Sequence, residues 1–214
     1  MEGRYLVLSD VHCREWVAES ARALMDQHGL HEVVLLGDIT HFGPPQFAED
    51  FIKALGAKCY AVPGNCDPPG TLTFIERSAI SLHGRKVVVN GRTWGGLGGS
   101  NPSIFRTPSE MPEEEIFRSL SPVMERGMVL VLHCPAHGTF DTPFSNKHVG
   151  STAVRDLIKR TEPLVVLSGH IHEDRGVAKK DGVWYMNPGA AKDRYAGMME
   201  LGEEVKLTLL DLEV

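Results

Sequence analysis

No stretch of this 214-residue sequence approaches the eighteen or so consecutive apolar residues of a membrane-spanning helix, so no helical membrane span is expected. Cysteine is sparse. Cys13, Cys59, Cys66 and Cys134 have neither the density of a disulfide framework nor the spacing of a cysteine-based zinc site. Basic charge is in deficit: 22 Lys and Arg against 28 Asp and Glu leave a net charge of -6, which speaks against a nucleic-acid partner. A small phosphorylated or nucleotide-like substrate stays open, provided metal ions supply the positive charge. Internal repeats, low-complexity tracts and linkers are also missing, so one domain over residues 1–214 is expected. Residues 4–8 already read as a strand, which leaves no room for a leader peptide. A cytoplasmic location with reduced thiols follows as the expectation, and oligomeric state stays open.

What is present is an ordinary globular composition, 42% hydrophobic and 23% charged, long enough for a large core. The first third alternates apolar runs with amphipathic segments. Strands are expected at 5–10, 32–38 and 58–65, with helices at 14–29 and 44–56 that end in glycine. This is the βαβαβ pattern of a parallel sheet covered by helices. "AISLHG" and "KVVVNG", followed by "RTWGGLGG", read as short antiparallel strands. An irregular surface segment follows at 98–112, then a helix near 112–120 and a strand at 128–134. A helix at 150–160, a strand at 164–170 and four short strands near 175–180, 183–187, 195–201 and 205–213 complete the chain. Strands in both halves with helices outside point to two sheets packed face to face.

Several apolar runs end in Asp, Asn or His: Asp10 and His12, Asp38, Asn65, His133, and His170 with His172. The carboxyl ends of strands form the rim where ligands bind in open α/β sheets. Each residue alone has an ordinary explanation. Asp10 or Asp38 could cap a turn, Asn65 could complete the Gly-Asn turn of "PGNCD", and His133 could be a hydrogen-bonded core residue. His170 and His172 in "GHIH" would share one face of an extended strand. Seven metal-competent side chains from five strand ends make coincidence a poor account.

The blocks "SDVH", "LLGD", "PGNCD", "LVLHC" and "SGHIH", in this order, resemble the calcineurin-like metallophosphoesterase superfamily, with "NPGA" near the end similar to its Asn-Pro-Gly-Ser stretch. "GNCDPP", "HVGS" and "GHIHE" look like a poorly characterised archaeal-type branch of it. The resemblance implies a four-layer αββα sandwich and a site for two divalent ions. Asp10, His12 and His172 would hold one ion; Asn65, His133 and His170 would hold the other; Asp38 would bridge them. Asp38, Asn65 and His133 would thereby carry the catalysis. Imidazole, carboxylate and amide donors suit Mn, Fe, Ni or Zn better than Ca. A metal-activated hydroxide would attack phosphorus in line without a covalent enzyme intermediate.

One departure stands out. Many relatives have His directly after the Asn, where this chain has Cys66, a poor proton donor to an alkoxide. Its loss would favour good leaving groups or require a replacement, for which His41 and His137 are the candidates. Asp67 reads as a turn residue or a support for a ligand, and Cys134 as buried packing. The 98–112 segment is expected to overhang the site, with Asn101 or Arg106 contacting substrate. A phosphodiesterase is favoured over a phosphomonoesterase. The rival is a non-catalytic metal-binding scaffold, which the loss at Cys66 supports; a protein phosphatase fits the short chain less well.

Overall fold

In the computed structural model, which describes residues 3–143 and 147–213, each early apolar run becomes a strand with two buried faces. Strand β1 (Gly3–Leu8) sends Leu6 and Leu8 to one side, Tyr5 and Val7 to the other. Strand β2 (Glu32–Leu35) splits Val33 and Leu35 from Val34 in the same way, and β3 (Lys58–Ala61) splits Cys59 and Ala61 from Tyr60. A period of two thus explains why the runs are continuously apolar: both faces are covered.

Helices α1 (Trp16–His28) and α2 (Gln46–Leu55) cover the outer face, burying Val17, Ala21 and Leu24 from α1 and Phe51, Ile52 and Leu55 from α2. Helix α3 (Thr71–Ser78) adds Ile75. The inner face packs on a second sheet that begins with β5 (Lys86–Val89) and β6 (Arg92–Leu97). Helix α4 (Glu113–Leu120), strand β7 (Val129–Leu132), helix α5 (Thr152–Thr161) and strand β8 (Val165–Leu167) follow. Here Val129 and Val131 face the first sheet, while Leu130 and Leu132 face α4 and α5. The result is the expected four-layer αββα sandwich.

Strands β9 (Gly176–Lys180) and β10 (Val183–Asn187) close the second sheet, in the order β5-β6-β7-β8-β10-β9. Strands β11 (Tyr195–Leu201) and β12 (Val205–Asp211) return to the first. With β4 (Ile80–Ser81) its order is β12-β11-β1-β2-β3-β4. No described helix is long and apolar enough to cross a membrane.

Two expectations need correction. "AISLHG" does not pair antiparallel with "KVVVNG": Tyr60 and Ala61 of β3 pair in parallel with Ile80 and Ser81 of β4. Helix α3, which the sequence reading missed, supplies the crossover that a parallel pair requires. "GHIH" is not an extended strand either. Strand β8 stops at Leu167, and His170 has a left-handed backbone with φ of 69°.

Candidate metal centre

The strands stop early, and the polar residues beyond them sit on sharply turned backbone. Asp10, His12, Asp38 and His170 have φ of 57°, 48°, 50° and 69°, although none is glycine. Such conformations cost roughly 1–3 kcal/mol each and persist only where surrounding contacts enforce them. Those contacts are close by. The N–H groups of Asp10 and His12 donate to the carbonyls of Gly37 and Asp38, at 3.0 and 2.9 Å, tying the first two loops together. Gly64 lies so near that a Cβ on it would fall onto the Asp38 carboxylate.

Buried Asp67 braces the same region. Its carboxylate accepts from the N–H groups of Gly64 and Thr40, both at 2.7 Å, and from the Thr40 hydroxyl at 2.8 Å. Burial and the nearby Asp38 push its pKa up to about 6. It therefore supports the loops that carry Asp38 and Asn65 from behind.

Five of the seven candidate side chains form two overlapping groups, and Asn65 and His170 lie beside His133. Asp10, His12 and His172 bring ligand atoms within 4.8 Å of one another, and so do Asp10, Asp38 and His133. His170 stacks edge-on to His133 with centroids 5.0 Å apart, while His172 does so to His12 at 5.5 Å. Asp38 lies between: Oδ1 is 3.5 Å from His133 Nε2, and Oδ2 is 3.7 Å from His12 Nε2.

Two of the polar atoms at the centre lack a hydrogen-bond partner among the described residues. Asp10 Oδ2 accepts from the Ser9 hydroxyl at 2.5 Å and the His170 N–H at 3.0 Å. Among the described residues Asp10 Oδ1 is buried and takes no hydrogen bond, although His172 Nε2 lies 3.1 Å away; buried His12 Nε2 is likewise unpartnered. His133 is fully buried, with Nδ1 2.8 Å from the Leu36 carbonyl, so Nδ1 carries the proton and Nε2 presents a lone pair. That lone pair stands 2.7 Å from Asn65 Oδ1, another acceptor. With Nε2 unprotonated, two acceptors at this distance repel unless a cation lies with them. Burial and neighbouring His133 push His170 down to about 4, so His170 is neutral near pH 7. Burial opposes charge on Asp10, yet His12 and His172 hold its pKa well below the usual carboxylate range. Two carboxylates, four imidazoles and one amide oxygen are a donor set that fits divalent cations.

The sequence matches the Calcineurin-like phosphoesterase superfamily domain over residues 4–200. This chain belongs to that superfamily. An uncharacterized protein of Methanocaldococcus jannaschii is 32% identical over 170 residues, covering 73% of this chain and 76% of its own. Among solved structures, TT1561 of Thermus thermophilus aligns over 100% of both chains with a TM-score of 0.76 and 17% identity. A dimetal phosphatase from Danio rerio aligns over 99% of both chains at 0.65 and 12%. An archaeal phosphodiesterase aligns over 97% of this chain and 99% of its own at 0.55 and 17%. These three share the superfamily fold with this chain.

The other candidates divide. At the position where many superfamily members carry His, Cys66 is buried, and burial together with Asp38 raises its thiol pKa, so it stays protonated. His41 stands beside it: His12, His41 and Cys66 bring ligand atoms within 4.8 Å, and the Nδ1 atoms of His12 and His41 are 3.1 Å apart. His137 instead lies against His148, with centroids 5.2 Å apart, in a cleft beside Arg155 and Lys159. Asn101 spends its amide within the protein, accepting from Cys134 Sγ at 2.9 Å and donating to the Val149 carbonyl at 3.0 Å. Arg106 is exposed at a left-handed turn, φ 53°.

Sequence reasoning missed the working of "NPGA" and the part played by Thr107. Asn187 Nδ2 donates to the carbonyls of Ile171 and Asp174 at 2.7 and 3.1 Å, pinning the loop that bears His172. The N–H groups of Ala191 and Lys192 donate to the carbonyls of Ser9 and Asp10, pinning the other side. The "NPGA" motif was the available signal. For Thr107 there was none.

Proposed function

We propose that this chain is a dinuclear-metal-dependent phosphoesterase, favouring phosphodiesters of a small or nucleotide-like kind over phosphomonoesters. The observation that carries the reading is the inward-facing acceptor set, above all His133 Nε2 against Asn65 Oδ1 at 2.7 Å with Asp10 Oδ1 left unpartnered. Asp10, His12, His172 and Asp38 would hold one ion, and Asn65, His133, His170 and Asp38 the other. When bound, such ions act as Lewis acids on phosphoryl oxygens and lower the pKa of water to near 7.

The chain's own part is placement and charge. Asp38 spans both groups through its two oxygens. Imidazoles that bind as neutral ligands add lone pairs without charge, so the two carboxylates leave a divalent pair about two positive charges with which to attract phosphate. Cys66, a buried thiol with a raised pKa, gives little help to a departing alkoxide, which directs the activity to esters with good leaving groups. Mn, Fe, Ni and Zn all suit this donor set. The second reading is a metal-binding scaffold without catalysis, and Cys66 is the observation that favours it.

The test is reconstitution of chelator-treated protein with Mn, Ni, Fe, Zn or Mg, assayed on bis-p-nitrophenyl phosphate and p-nitrophenyl phosphate. Faster hydrolysis of the diester is expected, and Asp38→Ala should lower kcat/KM by about 10²–10³-fold or more. Two bound ions with no turnover of either ester would establish the scaffold. An unaffected Asp38→Ala variant would overturn the ligand assignment.

A further inference from the structure

The loop at 98–112 contributes no candidate ligand, yet one of its side chains touches one. Asn65 Nδ2 donates to Thr107 Oγ1 at 2.9 Å. Thr107 in turn is committed to Glu110, whose Oε1 accepts from the Thr107 hydroxyl at 2.8 Å and the Thr107 N–H at 2.9 Å. The same carboxylate accepts from the Ser103 hydroxyl at 2.7 Å and the Ser103 N–H at 3.2 Å.

The direction of these bonds follows from the groups themselves. An ionised carboxylate only accepts. Thr107 must therefore point its single hydroxyl proton at Glu110, which leaves its oxygen able only to accept from Asn65. An accepting oxygen on that side requires the Asn65 NH₂ to face Thr107, and the Asn65 oxygen to face His133. Burial opposes charge on Glu110, but the bonds from Ser103 and Thr107 outweigh it and hold the carboxyl below its ordinary range.

Without this chain of bonds the amide would prefer the opposite orientation whenever no cation is bound. Turned over, its NH₂ would donate to the His133 Nε2 lone pair, removing the repulsion between acceptors and closing the ligand position. The backbone keeps Thr107 in place against that tendency. Ser109 N–H donates to the Asn65 carbonyl at 3.0 Å, and Ser109 Oγ donates to the Asp67 carbonyl at 2.6 Å. Ser100 and Met111 close the base of the loop, with Met111 N–H donating to the Ser100 carbonyl at 2.8 Å.

We infer that Thr107 and Glu110 are positioning residues: a clasp that holds the Asn65 amide oxygen toward the centre and so sets the affinity of the Asn65–His133–His170 metal position. The inference rests on the two-metal reading above and adds residues that touch neither metal nor substrate.

The experiment is a Mn²⁺ titration by calorimetry, with electron paramagnetic resonance to distinguish coupled from isolated Mn²⁺. It compares wild-type protein with Thr107→Val and Thr107→Ser. Wild type should take up two ions and show a coupled pair. Thr107→Val should keep one ion at wild-type affinity and bind the second about 10–100-fold more weakly, as losses of ligand-orienting partners do. Thr107→Ser, which retains the hydroxyl, should restore both the affinity and the coupled signal; a purely space-filling role for Thr107 would not give that rescue. If Thr107→Val does not fold, Thr107→Ala carries the same expectation. Two ions bound to Thr107→Val or Thr107→Ala at wild-type affinity would overturn the clasp alone. Wild-type protein that binds no second ion would overturn the two-metal reading, and the clasp with it.

Discussion

His83 shows how one hydrogen bond fixes a charge state. Its Nδ1 takes the Gly98 N–H at 3.0 Å, which places the ring proton on Nε2 and keeps the imidazole neutral. Burial, then Arg85, lowers its pKa below the usual 6.5, partly opposed by Glu76. The sign follows. Well above pH 6.5 neither folded nor unfolded chain binds this proton, and the stability contribution is complete. Below it the unfolded chain takes up the proton first, so stability falls as the pH drops toward the lowered folded-state value. His83→Gln retains an acceptor for Gly98 but cannot titrate. Between pH 7.5 and 5 its Tm should therefore decline less than that of wild type; the two falling in parallel would refute the assignment. The other histidines are common to both proteins and cancel in this comparison.

Among elements, the turns beyond the strand ends matter more than the strands. Asp38 and the loop before Asn65 meet at Gly64, where a side chain would have to displace the carboxylate that lies between the two ligand groups. Gly64→Ala should cost roughly 1–3 kcal/mol in urea unfolding, as overpacking does, and weaken Mn²⁺ binding as well. Gly56 is the control. It has a left-handed backbone, φ 64°, and a Cβ placed there would meet nothing within 4 Å, so Gly56→Ala should lose about 1 kcal/mol to strain and leave metal binding unchanged. Equal metal affinity in Gly64→Ala and wild type would show that Asp38 tolerates the shift. The same turns mark the limit of what could be read from sequence. Continuous apolar runs revealed β1, β2, β3, β7 and β8, because burial on both faces leaves few other compositions. Helix α3 was hidden, since "TLTFIERS" carries two threonines and an isoleucine that favour helix poorly. "GHIH" was read by strand alternation, whereas its histidines diverge through a left-handed turn. Thr107 was invisible because it meets Asn65 across 42 residues of chain, from a loop with no periodicity.

At the scale of the whole molecule, the candidate centre is assembled from both sheets. Asp10, Asp38 and Asn65 follow β1, β2 and β3 of the first; His133 and His170 follow β7 and β8 of the second. The spacing between the two sets is thus fixed by how the sheets pack. Trp94 sits at that interface, fully buried, its ring 4.9 Å from Tyr5 and 5.1 Å from Tyr60 between centroids. Its Nε1 is buried without an acceptor among the described residues. Trp94→Ala should lose about 3–5 kcal/mol of stability. Trp94→Phe should lose far less, because removing an unsatisfied donor returns about 1–3 kcal/mol against the smaller cavity. Ions that bind across the interface should stabilise the folded chain in turn, by about 2.7 kcal/mol for a single site at a hundred times Kd. Raising Mn²⁺ should therefore raise the Tm of wild type, and chelation should lower it. Trp94→Ala protein should need more Mn²⁺ for the same increment in Tm, since its two sets of ligands are less well held in register. If that variant bound Mn²⁺ as tightly as wild type, the loops alone would define the centre, and sheet packing would serve stability without setting the distance between the ions.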